Sequence, residues 1–129
     1  MTAADQTARG FFPGRAPIEA YGNGGFRFAG MSHRGSLLLL PSGVHAWQGV
    51  TGAAGLGPEQ FARVAQERAD IEVMLLGTGT EQVFPSWELR TTFADWGIAL
   101  EAMSTGAACR TWNVLLGEGR RAAAALISV

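Results

Sequence analysis

Thr105, Cys109, Asn113 and Gly117 recur every fourth residue, a spacing that stacks them into one ridge of a helix. Cys109 in the first turn of such a helix, with Arg110 beside it, has a setting that lowers a thiol pKa and could make a nucleophile. A thiolate nucleophile also needs a base, and the two histidines, His33 and His45, sit in the first half of the chain at no spacing that implies contact. The plainer reading is a buried, inert thiol packing beside Asn113. Asn113 is itself unusual in mid-helix, because its amide competes for backbone partners. It must either face solvent or bond a loop such as Gly77 to Thr80.

Two chain reversals offer a second kind of chemistry. Gly77-Thr78-Gly79-Thr80 follows one apolar run and Ser104-Thr105-Gly106 follows another. If both runs are parallel strands, the turns share the edge where α/β sheets take ligands. The amides at Gly106 to Ala108 would then form a weak positive pole for an anion or a partner's carboxylate. The structural alternative is that the glycines only turn the chain and Thr105 only caps its helix. Gly77 to Gln82 begins like a dinucleotide fingerprint, with Glu101 at a suggestive distance, but Gln82 stands where a sixth-position glycine or alanine belongs. Val83-Phe84-Pro85 also separates the turn from the next helix, so dinucleotide binding is rejected. One cysteine and two histidines, widely separated, make no metal spacing, and no Ser-centred or paired-carboxylate motif stands out. Neither metal nor cofactor is expected.

The elements that must position these residues follow from composition and periodicity. With 129 residues, 47% hydrophobic and 16% charged, the chain is sized for one folded domain and is too apolar for a disordered one. A net charge of -1 supplies no basic field for nucleic acid. All ten basic residues are arginine, scattered from position 9 to 121, which reads as the coding bias of a GC-rich bacterial genome rather than phosphate recognition. A single cysteine excludes an internal disulfide and fits a cytoplasmic thiol. The first ten residues lack the hydrophobic stretch of a secretory signal. The longest aliphatic run, Leu37 to Leu40, is far short of the roughly 20 apolar residues of a membrane-spanning helix.

Residues 1–17, rich in Ala, Gly and Pro without periodicity, read as a flexible N-terminal arm, and 18–129 as a single domain. A β-hairpin is expected around Gly22 to Gly25, then strands at Ser36 to Leu40 and Val44 to Trp47. Pro58 opens a helix through Arg68, feeding a buried strand at Ile71 to Leu76. Ser86 caps a helix presenting Leu89, Phe93 and Trp96, followed by a strand at Ile98 to Met103. Ser104 or Thr105 caps a third helix to about Glu118, and Arg120 to Val129 returns as an alanine-rich strand. Helices interleaved with short apolar strands imply a partly parallel sheet. The tryptophans read as core, except Trp87, which falls off the Leu89-Phe93-Trp96 face; exposed, it would mark a partner surface.

Several runs carry a resemblance: Leu75-Leu76-Gly77-Thr78-Gly79, Phe84-Pro85, Leu89-Arg90, Gly97-Ile98, Thr105 to Asn113 and Glu118-Gly119-Arg120-Arg121. Together they are similar to a family of small single-domain proteins of unknown function that includes a mitochondrial assembly factor for respiratory complex I. The likeness spans about Ile18 to the C-terminus, with Trp112 where relatives usually carry Tyr or Phe. The resemblance implies a three-layer α/β fold with a mixed central sheet and about three helices. It attaches no catalytic mechanism to the motif and implies action by binding protein partners during assembly. The expected function is therefore a non-enzymatic binding or assembly module, with respiratory-complex subunits as the candidate partners. Its recognition edge would comprise Gly77, Thr78, Gly79, Thr105 and Gly106. The alternative is a small-molecule binder or enzyme using the crevice between the two turns, with Arg90, Cys109 and Asn113 as its polar groups.

Overall fold

The computed structural model describes residues 11–129. Among the described residues, nine strands form two sheets. A six-stranded sheet has the order β1(Phe11–Pro13), β6(Gly43–Ala46), β5(Leu37–Leu40), β9(Ala122–Leu126), β7(Val73–Gly77) and β8(Ala99–Met103). A three-stranded antiparallel sheet holds β2(Ile18–Gly22), β3(Gly25–Phe28) and β4(Met31–Arg34). Three helices complete the fold: α1(Ala62–Gln66), α2(Trp87–Asp95) and α3(Thr105–Gly117).

The large sheet is mixed because the chain changes its style of connection. Up to Ala46 no helix intervenes and the strands pair antiparallel, β6 with β5 through a short turn and β1 with β6 across about thirty residues. After that, helices intervene, and β7 pairs parallel with both β8 and β9. β9 therefore lies at the seam, antiparallel to β5 on one side and parallel to β7 on the other. Seam strands are covered on both faces, which is why Leu37 to Leu40 and Ala122 to Leu126 show no polar alternation. Leu37, Leu39, Ala122, Ala124 and Leu126 point to one core, and Leu38, Leu40, Ala123 and Ala125 to the other.

The first core is closed by α3 and by Ile18, Phe26, Phe28 and Met31 of the small sheet. The second is closed by Trp47, Phe61 and Val64 together with Leu89 and Phe93 of α2. Three layers result, as the interleaving of helices and strands implies. In the second core Trp47, Phe61, Phe93 and Trp96 form a chain of ring contacts, each 5.0–5.2 Å between centroids.

The hairpin at Gly22 to Gly25, the Ser86 cap and the alanine-rich last strand fall where the sequence places them. The helix expected from Pro58 to Arg68 is divided into a 3-10 turn at Pro58–Phe61, the short α1 and a second 3-10 turn at Arg68–Asp70. Two strands were not expected. β4 carries Ser32 and Arg34 outward and looks too polar for a strand, yet Met31 and His33 are buried beneath it. β1 falls inside the stretch expected to be a flexible arm. Phe11 to Pro13 pairs with Gly43 to His45, and Ala16 is buried, so ordered structure begins at least by residue 11. An edge strand tolerates Pro13 because one side of it needs no ladder bonds. Residues 1–10 lie outside the described residues.

Candidate functional site

β7 and β8 are parallel neighbours in register, Gly77 opposite Met103, so the two turns that follow them do meet at one edge. Thr78 N–H donates to Met103 O at 2.8 Å, and Thr105 N–H to Gly79 O at 2.8 Å. Thr105 Oγ1 accepts from Gly79 N–H at 3.0 Å and donates to Ile127 O at 2.7 Å. Thr78 Oγ1 donates to Glu81 O at 2.6 Å and accepts from Val83 N–H at 3.0 Å. Both hydroxyls are thus committed to holding the turns and the following loop together. Gly77 permits this close approach: a Cβ there would stand 3.0 Å from Thr105 Cα and 3.2 Å from Ala108 Cβ. Ser104, not Thr105, caps α3, its hydroxyl accepting from Ala107 N–H at 3.3 Å. The Tyr21 ring covers Gly106 so closely that a Cβ would lie 2.9 Å from its Cζ.

The α3 ridge turns inward. Cys109 is 3% exposed, and burial pushes its thiol up to about 12 against the pull of Arg110. At neutral pH it is a thiol and not a nucleophilic thiolate. Asn113 reaches not the Gly77 loop but β2. Its Oδ1 accepts from Ile18 N–H at 2.8 Å and its Nδ2 donates to Ile18 O at 2.9 Å, so the side-chain amide pairs with β2 as a backbone neighbour would. One residue earlier, Trp112 Nε1–H donates to Ala16 O at 2.9 Å. Arg15 stacks over that indole at 5.8 Å and donates to Ala122 O at 2.7 Å. Adjacent α3 residues therefore clamp the chain at 15–18 onto the large sheet. Neither Cys109 nor Asn113 lines any of four surface cavities of about 320–790 Å³ among the described residues.

Arg90 lies elsewhere, on α2, its guanidinium 5.8 Å from the ring centroid of Trp87. It shares a groove of about 640 Å³ with Gln82, Phe84, Pro85 and residues Leu100 to Ala102 of β8, the last strand of the sheet. Phe84 is 80% and Trp87 73% exposed, and Val83 is 44% exposed beside them. Gln82 Nε2 donates to Ala102 O at 2.8 Å, and Thr78 anchors Val83, so this aromatic loop is held against the sheet edge. The spacing argument that set Trp87 off its helix's core face was the signal for it; Phe84, in a loop, gave none.

One cluster the sequence did not suggest joins the β5–β6 turn to α1. Ser42 Oγ donates to Glu67 Oε2 at 2.6 Å and lies 2.8 Å from His45 Nε2, while Ser42 N–H donates to Glu67 Oε1 at 2.8 Å. His45 is buried, its pKa lowered first by that burial and then by Arg63, with Glu67 opposing. A nucleophilic serine would direct its proton to the imidazole; here the hydroxyl donates to the Glu67 carboxylate instead. The trio is a pin between turn and helix.

The fold and this geometry can be set against known proteins. Residues 18–127 match the model of a family described as a protein of unknown function (DUF498/DUF598). The chain belongs to this family. An uncharacterized protein of Rhodobacter capsulatus is 35% identical over 116 residues, covering 90% of this chain and 87% of that protein. Mouse NADH dehydrogenase [ubiquinone] 1 alpha subcomplex assembly factor 3 is 35% identical over 118 residues, covering 90% of this chain but 62% of the mouse protein. Against that relative the chain spans less than two thirds of the length. The crystal structure of a Bartonella henselae protein described as an outer membrane protein superposes with a TM-score of 0.87 at 52% identity, covering 92% and 98% of the two chains. The three-layer arrangement is thus that of solved family members. No helix among the described residues is long and apolar enough to cross a membrane.

Proposed function

We propose that this protein is a non-enzymatic binding and assembly module, acting on the cytoplasmic side, that docks protein partners through the surface formed by Val83, Phe84, Trp87 and Arg90. Respiratory-complex subunits are the partner class, by extension from the mammalian relative whose name makes it a complex assembly factor. The exposure of both Phe84 and Trp87, three residues apart in the chain, carries this reading. Two large aromatics within four residues, held rather than loose, with a guanidinium against one ring, have the composition of an interface hot spot. In this reading Thr78, Gly79, Thr105 and Gly77 position the docking loop and do not themselves bind. The crevice between the turns gives less support to a small-molecule site, because its hydroxyls already have partners. The test is crosslinking and affinity capture from cells that are building respiratory complexes, with wild type beside Phe84→Ser/Trp87→Ser. Respiratory-complex subunits should crosslink to residues 83–90 of wild type and vanish from the variant. Recovery of no stoichiometric protein partner sinks the proposal.

A further inference from the structure

The small sheet has an outer face that neither core uses. Cross-strand register sets Ala20 opposite Arg27, Gly22 opposite Gly25, Gly25 opposite Arg34, and Arg27 opposite Ser32. Side chains alternate along a strand, so these residues share one face, while Phe26, Phe28, Met31 and His33 are buried on the other. The floor of the outer face is therefore Ala20, Gly22 and Gly25, and two guanidinium groups stand at its rim. Gly25 has no room for a side chain, since a Cβ would meet the His33 carbonyl carbon at 3.2 Å and Arg34 Cα at 3.2 Å. The result is a hollow of about 510 Å³ whose lining includes Arg27, Ser32, Arg34, Asn23 and Tyr21, with no carboxylate among its described lining residues.

Residues 18–34 contain a single acid, Glu19, and its carboxylate accepts from Gly30 N–H at 3.3 Å in the β3–β4 turn. The ion pairs among the described residues are Arg120 and Arg121 with Glu72, away from this sheet. On the opposite face, where the Tyr21 ring covers Gly106, Arg110 of α3 donates to Tyr21 Oη at 3.4 Å. Arg27 Nη1 donates to Ser32 Oγ at 2.9 Å, which holds the guanidinium and leaves the serine's own proton to donate outward. Two forked, permanently charged groups and a hydroxyl around a floor of small residues offer several N–H and O–H donors to the oxygens of one phosphate group. The arginines that look scattered in sequence are brought together by register.

We propose that this hollow binds a phosphate group, held by Arg27, Arg34 and the Ser32 hydroxyl, carried by a soluble phosphorylated molecule or by an anionic phospholipid headgroup. It lies on a different layer from the Phe84 and Trp87 loop and does not depend on the docking role of that loop.

The experiment titrates the full chain with inorganic pyrophosphate and, separately, with vesicles of phosphatidylcholine alone or mixed with phosphatidylglycerol. Saturable binding of pyrophosphate, of the phosphatidylglycerol vesicles, or of both is expected, with no response to phosphatidylcholine alone. Amide shifts should gather in residues 20–34. Pyrophosphate alone would assign a soluble ligand, and the anionic vesicles alone a headgroup. Arg27→Gln and Arg34→Gln should each weaken binding about ten-fold or more, and together abolish it, with the melting temperature unchanged. Should the double glutamine variant fail to fold, Arg27→Lys/Arg34→Lys retains the charge but not the fork, and weaker binding by it serves the same purpose. Silence toward both probes, or undiminished binding by the variants, overturns the proposal.

Discussion

Helix α3 and the 82–87 loop both carry residues of the family resemblance, and they put them to opposite uses. On α3 the distinctive side chains face inward: Trp112 and Cys109 are buried, and Asn113 and Trp112 give their polar atoms to the chain at 15–18. In the loop and at the first residue of α2 the large side chains face outward, Phe84 and Trp87 leaving most of their surface in water. Exposing large rings is unfavourable and stabilises nothing within the chain, whereas every α3 contact has an internal beneficiary. A motif that reads as a site can therefore be architecture, and a neighbouring stretch with little pattern can be the working surface.

The sharpest way to break that contrast is to remove an α3 contact and find that little changes. Trp112→Ala deletes a fully buried indole from the first core and its bond to Ala16 O, and should lower unfolding free energy by about 3–5 kcal/mol in urea titrations. Asn113→Ala leaves Ile18 N–H and C=O without their side-chain partner and should lower it by about 1–3 kcal/mol. In Asn113→Ala, hydrogen exchange at Ile18 should quicken before exchange at β9, because the clamp opens locally while the seam strand stays buried. If either variant unfolds at wild-type urea concentrations, α3 is not the clamp described.

How much of this could be read in the sequence depends on the range of the interaction. The parallel half of the sheet, the Ser86 cap and the meeting of the Gly77 and Thr105 turns are consequences of local period and of crossover handedness, and all three were legible. The partner of Asn113 was not, because Ile18 lies 95 residues away and no spacing rule reaches it. β1 was hidden by the same cause, since its ladder is with β6, more than thirty residues on. Ser42, His45 and Glu67 illustrate a mixed case: the first two are three apart, but only the fold of α1 brings the carboxylate that decides which way the serine proton points. Of the candidate residues, Trp87 was legible as exposed through helical phase, whereas Phe84 in an irregular loop had no phase to read.

That pin gives a smaller, pH-dependent effect. The folded state lowers the His45 pKa below its ordinary value of 6.5, by burial above all, so the fold favours neutral imidazole. Its contribution is therefore fully present above about pH 6.5 and is lost as pH falls through the lower, folded-state pKa. Urea midpoints measured from pH 8 to 5 should fall on the acid side, and His45→Gln should remove part of that slope. A His45→Gln profile parallel to wild type would show that the buried imidazole is not linked to folding.

The smallest expected change in stability belongs to the loop, and it is the most informative. Phe84→Ser and Trp87→Ser replace rings that are already largely hydrated, so each should move the unfolding free energy by no more than about 0.5 kcal/mol. The serine hydroxyls meet water with no buried partner to satisfy, and the anchors at Thr78 and Gln82 are untouched. A ring that served the core would show its loss in the urea midpoint; a ring kept for a partner shows it only in the partner's presence. Surface plasmon resonance with captured respiratory-complex subunits against these near-neutral variants separates the two. A large drop in stability would return Phe84 and Trp87 to the same architectural role as α3, and the contrast between the regions would disappear.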